Sequence, residues 1–386
     1  MLDNTTPFSR ETADVVVIGG GVIGLAIARS LALRGVPGVM LIERARLGAE
    51  ASSAAAGILG PQAEANQADD FFQLACQSRD LYPAFSAALK EESGIDIELD
   101  QTGTLYLAFT GRDEAEIAHR YEWQSRAGHE VERLTSAEAR MFEPCISAET
   151  GSALRFPRDM QVENRRLVAA LASANEQLGV RLVTGCDVRS LKTERGRIVA
   201  VETSLGDIAT PTVIIAAGAW SSFISIPDIL PPPVRIEPVR GQMLCFETNP
   251  RLVRHVIYSP RGYLVPRSDG RLLAGATSEH AGFDKQITAA GVRALTEQSM
   301  EMVPGLSKLP MIDSWAGLRP HAADNWPVLG KCAEVEGLIY ATGHYRNGIL
   351  LAPITGELIA DTVVGGVTPA LIAPFAPNRF RLAMAG

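Results

Sequence analysis

The hydrophobic pattern changes period twice within the first forty-odd residues. Asp14-Val15-Val16-Val17-Ile18 is a continuous β-branched run, which predicts a strand buried on both faces. Gly19-Gly20-Gly21-Val22-Ile23-Gly24 follows, and apolar residues then recur at Ile23, Ile27, Ala28 and Leu31. That spacing predicts a helix over residues 22–34, stopped by Gly35. Val39-Met40-Leu41-Ile42 reads as a second buried strand, ending at Glu43. Further along, Val213-Ile214-Ile215 is a buried strand that breaks near Gly218. Two hairpins are predicted. One turns at Ser204, between residues 197–202 and 205–208, and the other at Asp269-Gly270, between residues 262–266 and 271–275. Pro353 predicts the start of a helix running to Val364. The Pro231-Pro232-Pro233 run and the Pro/Ala-rich tail read as loop, and no internal repeat is present.

Strand, glycine turn, helix, strand and terminal acid in one short window fit the binding of a dinucleotide. Gly19 allows the tight turn, Gly21 lets backbone amides approach a pyrophosphate, and Gly24 lets the helix pack on the strand. The helix N-terminus offers partial positive charge to the phosphates. Glu43 is placed to accept hydrogen bonds from a ribose. This unit does not choose between NAD and FAD. The next segment, Ala51-Ser52-Ser53-Ala54-Ala55-Ala56-Gly57-Ile58, is a run of small side chains that lets backbone come close to something large and flat. On composition alone it also reads as the start of an Ala-rich helix.

Composition narrows the class without identifying it. The chain has 386 residues, 46% of them hydrophobic and 21% charged, which suffices for a large core or two domains. Net charge is −8 and the pI about 5.4, and no Lys/Arg block suggests a nucleic-acid surface. The apolar stretch at residues 15–28 is too short to span a bilayer and has glycines at its centre, so no integral membrane segment is expected. Cys76, Cys145, Cys186, Cys245 and Cys332 are scattered, with no C-x-x-C, which points to core thiols in a reducing, cytoplasmic setting. The histidines do not lie at metal-ligand spacings, so no metal is expected.

Three more segments carry a family resemblance. They are residues 213–221 (VIIAAGAWS), residues 315–320 (WAGLRP) and residues 337–353 (GLIYATGHYRNGILLAP). With the N-terminal unit and Ser52-Ser53-Ala54-Ala55-Ala56-Gly57-Ile58, the chain resembles the D-amino-acid oxidase superfamily of flavoproteins, and within it the glycine oxidase group. The resemblance covers residues 14–364 and implies an α/β fold of two interleaved domains. A Rossmann-like FAD-binding domain would comprise residues 1–85, 151–222 and 315–386. An antiparallel-sheet substrate domain would comprise residues 86–150 and 223–314.

Carried over position by position, the resemblance implies flavin contacts from Val22 and Ile23 at the pyrophosphate, and from Glu43 and Arg44 at the ribose and adenine end. Ser52, Ser53, Ala56, Gly57 and Ile58 would run along the pyrophosphate and isoalloxazine. Val188 would touch adenine, Gly218 would border the site, and His344, Tyr345, Arg346, Asn347, Gly348, Ile349 and Leu350 would cover the pyrimidine edge. Residues 314–324 contain no cysteine, so FAD would be held non-covalently. Arg319 would grip a substrate carboxylate, with Tyr263 closing over it and Arg346 on the substrate side.

The implied reaction is oxidation of a small carboxylate-bearing amine such as glycine or sarcosine. Hydride moves to flavin N5, the imine hydrolyses to glyoxylate and an amine, and O2 is reduced to hydrogen peroxide. A dehydrogenase passing electrons to a quinone or partner protein, and a non-catalytic FAD-binding subunit, are the alternatives. A homo-oligomer is left open. Arg261 lies two residues before Tyr263, and positions i and i+2 share a strand face. Two readings stand for it. Either it meets the second carboxylate of a substrate such as iminodiacetate, or it pairs with an acid such as Glu237.

Overall fold

A computed structural model describes residues 11–226 and 234–382, with the side chains of 381 and 382 excepted. The proline run at 231–233, most of the segment before Asp14 and the last residues of the tail lie outside the described residues. A six-stranded sheet has Val15–Ile18 near its centre. In order it contains Val328–Lys331, Leu338–Thr342, Val213–Ile215, Val15–Ile18, Val39–Glu43 and Arg181–Thr184. All its pairings are parallel except that of Val328–Lys331 with Leu338–Thr342. Parallel strands need covering on both faces. Helices Val22–Leu33, Asn164–Gln177 and Gly348–Gly365 contribute to one apolar core against it, and a four-stranded sheet that includes the predicted hairpin at Ser204 packs into a second.

The helix Val22–Leu33 ends where the glycine signal places it, with Arg34 as the last cap residue and Gly35 at φ +74. It packs closely on Gly348–Gly365, because a Cβ on Gly356 would fall 2.8 Å from Ala26 O. Gly348–Gly365 is long and apolar enough to cross a membrane, but most of it is buried inside the protein.

An eight-stranded sheet forms the other layer, in the order Met311–Ala322, Ile236–Glu247, Arg271–Gly275, Gly262–Pro266, Val256–Ser259, Thr104–Ala108, Ser152–Phe156 and Glu132–Thr135. It is antiparallel apart from the pairing of Val256–Ser259 with Thr104–Ala108. The predicted Asp269-Gly270 hairpin is present, with Gly270 at φ +90. Two segments that the resemblance places in the FAD-binding domain pair here. They are Ser152–Phe156 and the residues from Trp315 to Ala322. Each sheet therefore draws on separated stretches of chain, and the strand Met311–Ala322 holds the 315–320 motif within the larger sheet, paired with Pro238 to Met243.

Candidate active site

One cavity of about 640 Å³ runs between the two sheets. That volume lies within the range of small-molecule and cofactor pockets. Its first end is the turn after Val15–Ile18. Gly19 has φ +114, and a Cβ there would lie 2.4 Å from Ala216 O. A Cβ on Gly24 would lie 1.9 Å from Gly19 O, so Gly24 packs helix on strand and does not line the cavity. Gly21 differs from both: its Cβ would meet only Ser52 Oγ, at 3.3 Å, and it faces the cavity. The first intrahelical bond runs from Leu25 N–H to Gly21 O, while Val22 N–H donates to Ser52 Oγ at 2.9 Å. The remaining N–H groups of the first turn are left for a phosphate.

Glu43 ends its strand held by two backbone donors, Gly20 N–H at 2.8 Å and Ala45 N–H at 2.9 Å. Its carboxylate keeps lone pairs for ribose hydroxyls. Arg44 lies over the Trp220 ring, 3.9 Å from its centroid, and donates to Glu50 at 3.1 Å. Val188 and Gly218 line the same end.

The middle of the cavity is the small-residue run. Only Ala51–Ala54 is helical, a single turn, and its carbonyls are tied from outside. Asn164 Nδ2 donates to Ser52 O at 2.8 Å and Trp315 Nε1 to Ala54 O at 2.9 Å. Gly57 has φ +72, and a Cβ there would lie 2.0 Å from Val162 O. Ser52, Ala56, Gly57 and Ile58 line the cavity. Ser53 does not, because its hydroxyl turns back to Gly48 O.

At the far end Arg319, Tyr263 and Arg346 come together in the cavity wall. The Arg319 guanidinium lies flat over Gly241 of the neighbouring strand, where a Cβ would be 2.3 to 2.4 Å from its atoms. Its Nη1 donates to Thr277 O at 2.9 Å. Among the described residues no carboxylate lies within ion-pair distance of it. The Tyr263 ring covers Gly275 in the same manner, with ring carbons 2.7 Å from where a Cβ would sit.

Glu64 is the functional candidate that sequence reasoning missed. It ends the short helix Pro61–Glu64 and lines the cavity beside Arg346, accepting from Tyr258 Oη at 3.3 Å. Burial pushes its carboxyl above the usual carboxylate range, against the pull of Arg346. Burial also raises the Tyr258 and Tyr263 phenols, which therefore stay protonated and donate. The carboxylate of Asp159, itself fully buried, faces the start of Pro61–Glu64, 3.2 Å from Ala63 N. Arg120 donates to the Ala63 carbonyl at 3.0 Å. The local signal, Gly60-Pro61 opening a helix, marks the turn but says nothing about where Glu64 points.

Arg261 does not reach the cavity. The strand begins at Gly262, so Arg261 sits in the tight turn after Val256–Ser259 and the two-residue alternation does not extend to it. It pairs with Glu301 at 2.6 Å and Asp113 at 3.2 Å, while Glu237 pairs with Arg235.

The helix expected to begin at Pro353 starts five residues earlier, at Gly348, with Asn347 as its cap. Pro353 lies inside it and leaves the Ile349 carbonyl without its helical donor, and the Tyr82 hydroxyl supplies one. His344, Tyr345, Arg346, Gly348 and Ile349 line the cavity, whereas Asn347 and Leu350 stand behind it. Burial takes His344 down to about 3, so its imidazole is neutral at pH 7.

This geometry fits FAD. There is a glycine-walled phosphate turn, an acid at the ribose end, a middle stretch with one wall made by the small residues Ser52, Ala54, Ala55, Ala56 and Gly57, and cations at the far end. The sequence profile of the family described as FAD dependent oxidoreductase, the DAO family, matches residues 14–362. The chain belongs to that family. Glycine oxidase of Geobacillus kaustophilus is 38% identical over 95% of this chain and 97% of its own length. The crystal structure of a glycine oxidase from that organism superposes with a TM-score of 0.91 at 36% identity, covering 96% of this chain and 99% of the other. An iminodiacetate oxidase from Chelativorans sp. is more distant, with TM-score 0.84 and 26% identity over 94% of this chain and 98% of its own. The protein is thus a glycine oxidase-like DAO-family flavoenzyme, an FAD-dependent amine or amino-acid oxidoreductase.

Proposed function

We propose that this flavoenzyme oxidises small amines that carry one carboxylate, glycine and sarcosine being the simplest, to glyoxylate and ammonia or a primary amine. The observation that carries the reading is Arg319, a guanidinium in the cavity wall with, among the described residues, a backbone acceptor at Thr277 O and no acid within ion-pair distance. Such a fork suits a carboxylate. Tyr263 adds a hydroxyl from the strand Gly262–Pro266 of the same sheet. Bound FAD supplies the hydride acceptor at N5 and passes the electrons to O2, giving hydrogen peroxide. The protein orients the substrate so that its C–H faces the ring, and the imine product then leaves and is hydrolysed. No residue need remove the proton of the C–H bond.

Charge in the cavity narrows the substrate class. At the far end of the cavity, away from Glu43, Arg44, Glu50, Asp187 and Arg189, Arg319 and Arg346 contribute two cations and Glu64 one carboxylate. A monocarboxylate brings the ionised sum to zero. A dicarboxylate overshoots unless Glu64 takes up a proton, and the cation expected for its second carboxylate, Arg261, is engaged elsewhere. A panel of glycine, sarcosine and iminodiacetate with a peroxide readout tests this. Glycine or sarcosine is expected to lead. Because the Glu64 pKa is raised, the relative rate on iminodiacetate should climb as pH falls and Glu64 becomes neutral. Glu64→Gln should bring the same gain at every pH. Iminodiacetate leading at all pH values, with no response to Glu64→Gln, contradicts the charge argument. Turnover with an artificial acceptor but no peroxide marks a dehydrogenase.

Non-covalent FAD is part of the same proposal. Among the cysteines only Cys186 lines the cavity, and its N–H bonds to Glu43 O at the ribose end, away from the flavin ring. Acid or heat denaturation should leave all the yellow colour in the supernatant. Colour retained by the washed precipitate would contradict it.

A further inference from the structure

Arg267 follows the strand Gly262–Pro266 and is 3% exposed. Its guanidinium donates to four acceptors: Gln161 Oε1 at 3.0 Å, Val162 O at 2.8 Å, Ala56 O at 2.8 Å and Asn164 Oδ1 at 3.2 Å. All four are neutral. Among the described residues no carboxylate lies within ion-pair distance, and Nε has no hydrogen-bond partner. Burial pulls its pKa down to about 10, with Glu163 attracting it from farther off, and that still leaves it a cation at neutral pH.

A buried charge without a counter-charge is costly, and knitting four acceptors together requires only donors. The charge itself is therefore the feature to explain. Ala56, whose carbonyl Arg267 holds, lines the cavity, and so does Gly57, where a Cβ would come within 3.2 Å of Nη2. The cation thus stands directly behind the wall of the cavity's middle. The phosphate turn lies at one end of that stretch and Arg319 at the other. The proposed substrate pose puts the flavin ring between them. Its two-electron reduction by hydride converts FAD to the anion FADH⁻, and a fixed cation behind a low-dielectric wall favours the anion.

We propose that Arg267 is a positioning residue that acts through the wall at Ala56 and Gly57 as a fixed positive charge behind the FAD ring, favouring its anionic reduced form and raising its reduction potential. The inference rests on the ring position used in the proposed function. The test is the midpoint potential of the flavin in purified holoenzyme, measured for the wild type, Arg267→Gln and Arg267→Lys. Arg267→Gln is expected to lower the potential by about 30 mV or more, a tenfold loss in preference for the reduced form of a two-electron couple. Its affinity for sulfite, which adds to oxidised flavin and leaves the ring negative, should fall about tenfold as well. Arg267→Lys should keep the wild-type potential at neutral pH even where weaker tying loosens FAD. Equal potentials in all three, with only stability or FAD affinity altered, overturn the proposal. A Lys variant displaced as far as the Gln variant also overturns it. If Arg267→Gln does not fold, the Lys variant decides alone, because a buried lysine loses its proton at a lower pH than arginine. An extra drop in potential as that lysine deprotonates supports the assignment, and a pH slope parallel to wild type refutes it. Failure of any form to take up FAD would instead remove the functional reading beneath it.

Discussion

Replacing Arg319 with alanine should lower catalytic efficiency on glycine or sarcosine by about 30-fold or more while leaving the protein folded and yellow. Truncating one side of a buried, charge-assisted pair costs roughly 2–5 kcal/mol, and the lower figure already corresponds to that factor. FAD retention is expected because the arginine stands at the far end of the cavity from the phosphate turn and holds none of the backbone there; its hydrogen bond goes to Thr277 O. Steady-state kinetics beside the flavin absorbance of the same preparation check both halves. Near-normal kinetics in a flavin-loaded variant would remove Arg319 from the carboxylate site.

Gly241→Ala should produce nearly the same loss without touching a polar group. A methyl at that position would sit 2.3 to 2.4 Å from the guanidinium, so one of the two must move. The clash is with the tip of a long, flexible side chain and not with backbone, so the strand pairing of Ile236–Glu247 with Met311–Ala322 should survive and Arg319 should be displaced. Efficiency is expected to fall by about 30-fold, most of it in KM, with thermal stability changed by only a few degrees, the size expected of ~1 kcal/mol in a chain this long. The double variant Gly241→Ala/Arg319→Ala should be no worse than Arg319→Ala alone, because both changes remove one interaction. Additive losses would show that Gly241 acts on something else.

The contrast between these two residues shows what the sequence could reveal. The strand, turn, helix and strand from Val15 to Glu43 are local, and each signal lies within a few residues of what it controls. Arg319 and Tyr263 were legible because they sit in recurring motifs. Gly241 was not, because its role is set by a cross-strand neighbour far along the chain. Glu64 and Arg267 were hidden for the same reason: burial of a charged side chain depends on which distant segments close over it. At Arg261 the strand's first residue decides between the two readings: Gly262 opens the strand, Arg261 stays in the turn, and it pairs with protein acids, Glu301 and Asp113 in place of Glu237. The helix start near Pro353 shows the opposite trap. A proline is favoured at a helix entry, yet here an interior proline is accommodated by the Tyr82 hydroxyl. The resemblance implies a division of the chain at residues 151 and 315, while hydrogen bonding joins Ser152–Phe156 and Trp315 to the larger sheet.

The interleaving of the two sheets has a consequence for how the protein comes into being. The walls of the flavin cavity are contributed by residues near 20, near 55, near 217 and near 345 of the chain. The strand Leu338–Thr342, beside Val213–Ile215 in the parallel sheet, leaves the ribosome long after the first strand, turn and helix. A nascent chain holding only the first strand, turn and helix has one side of a pocket and no lid. Cofactor capture is then expected to wait for synthesis through about residue 350. A stop codon anywhere before about residue 350 should yield a chain that cannot be rescued by added flavin, however intact its N-terminal fingerprint.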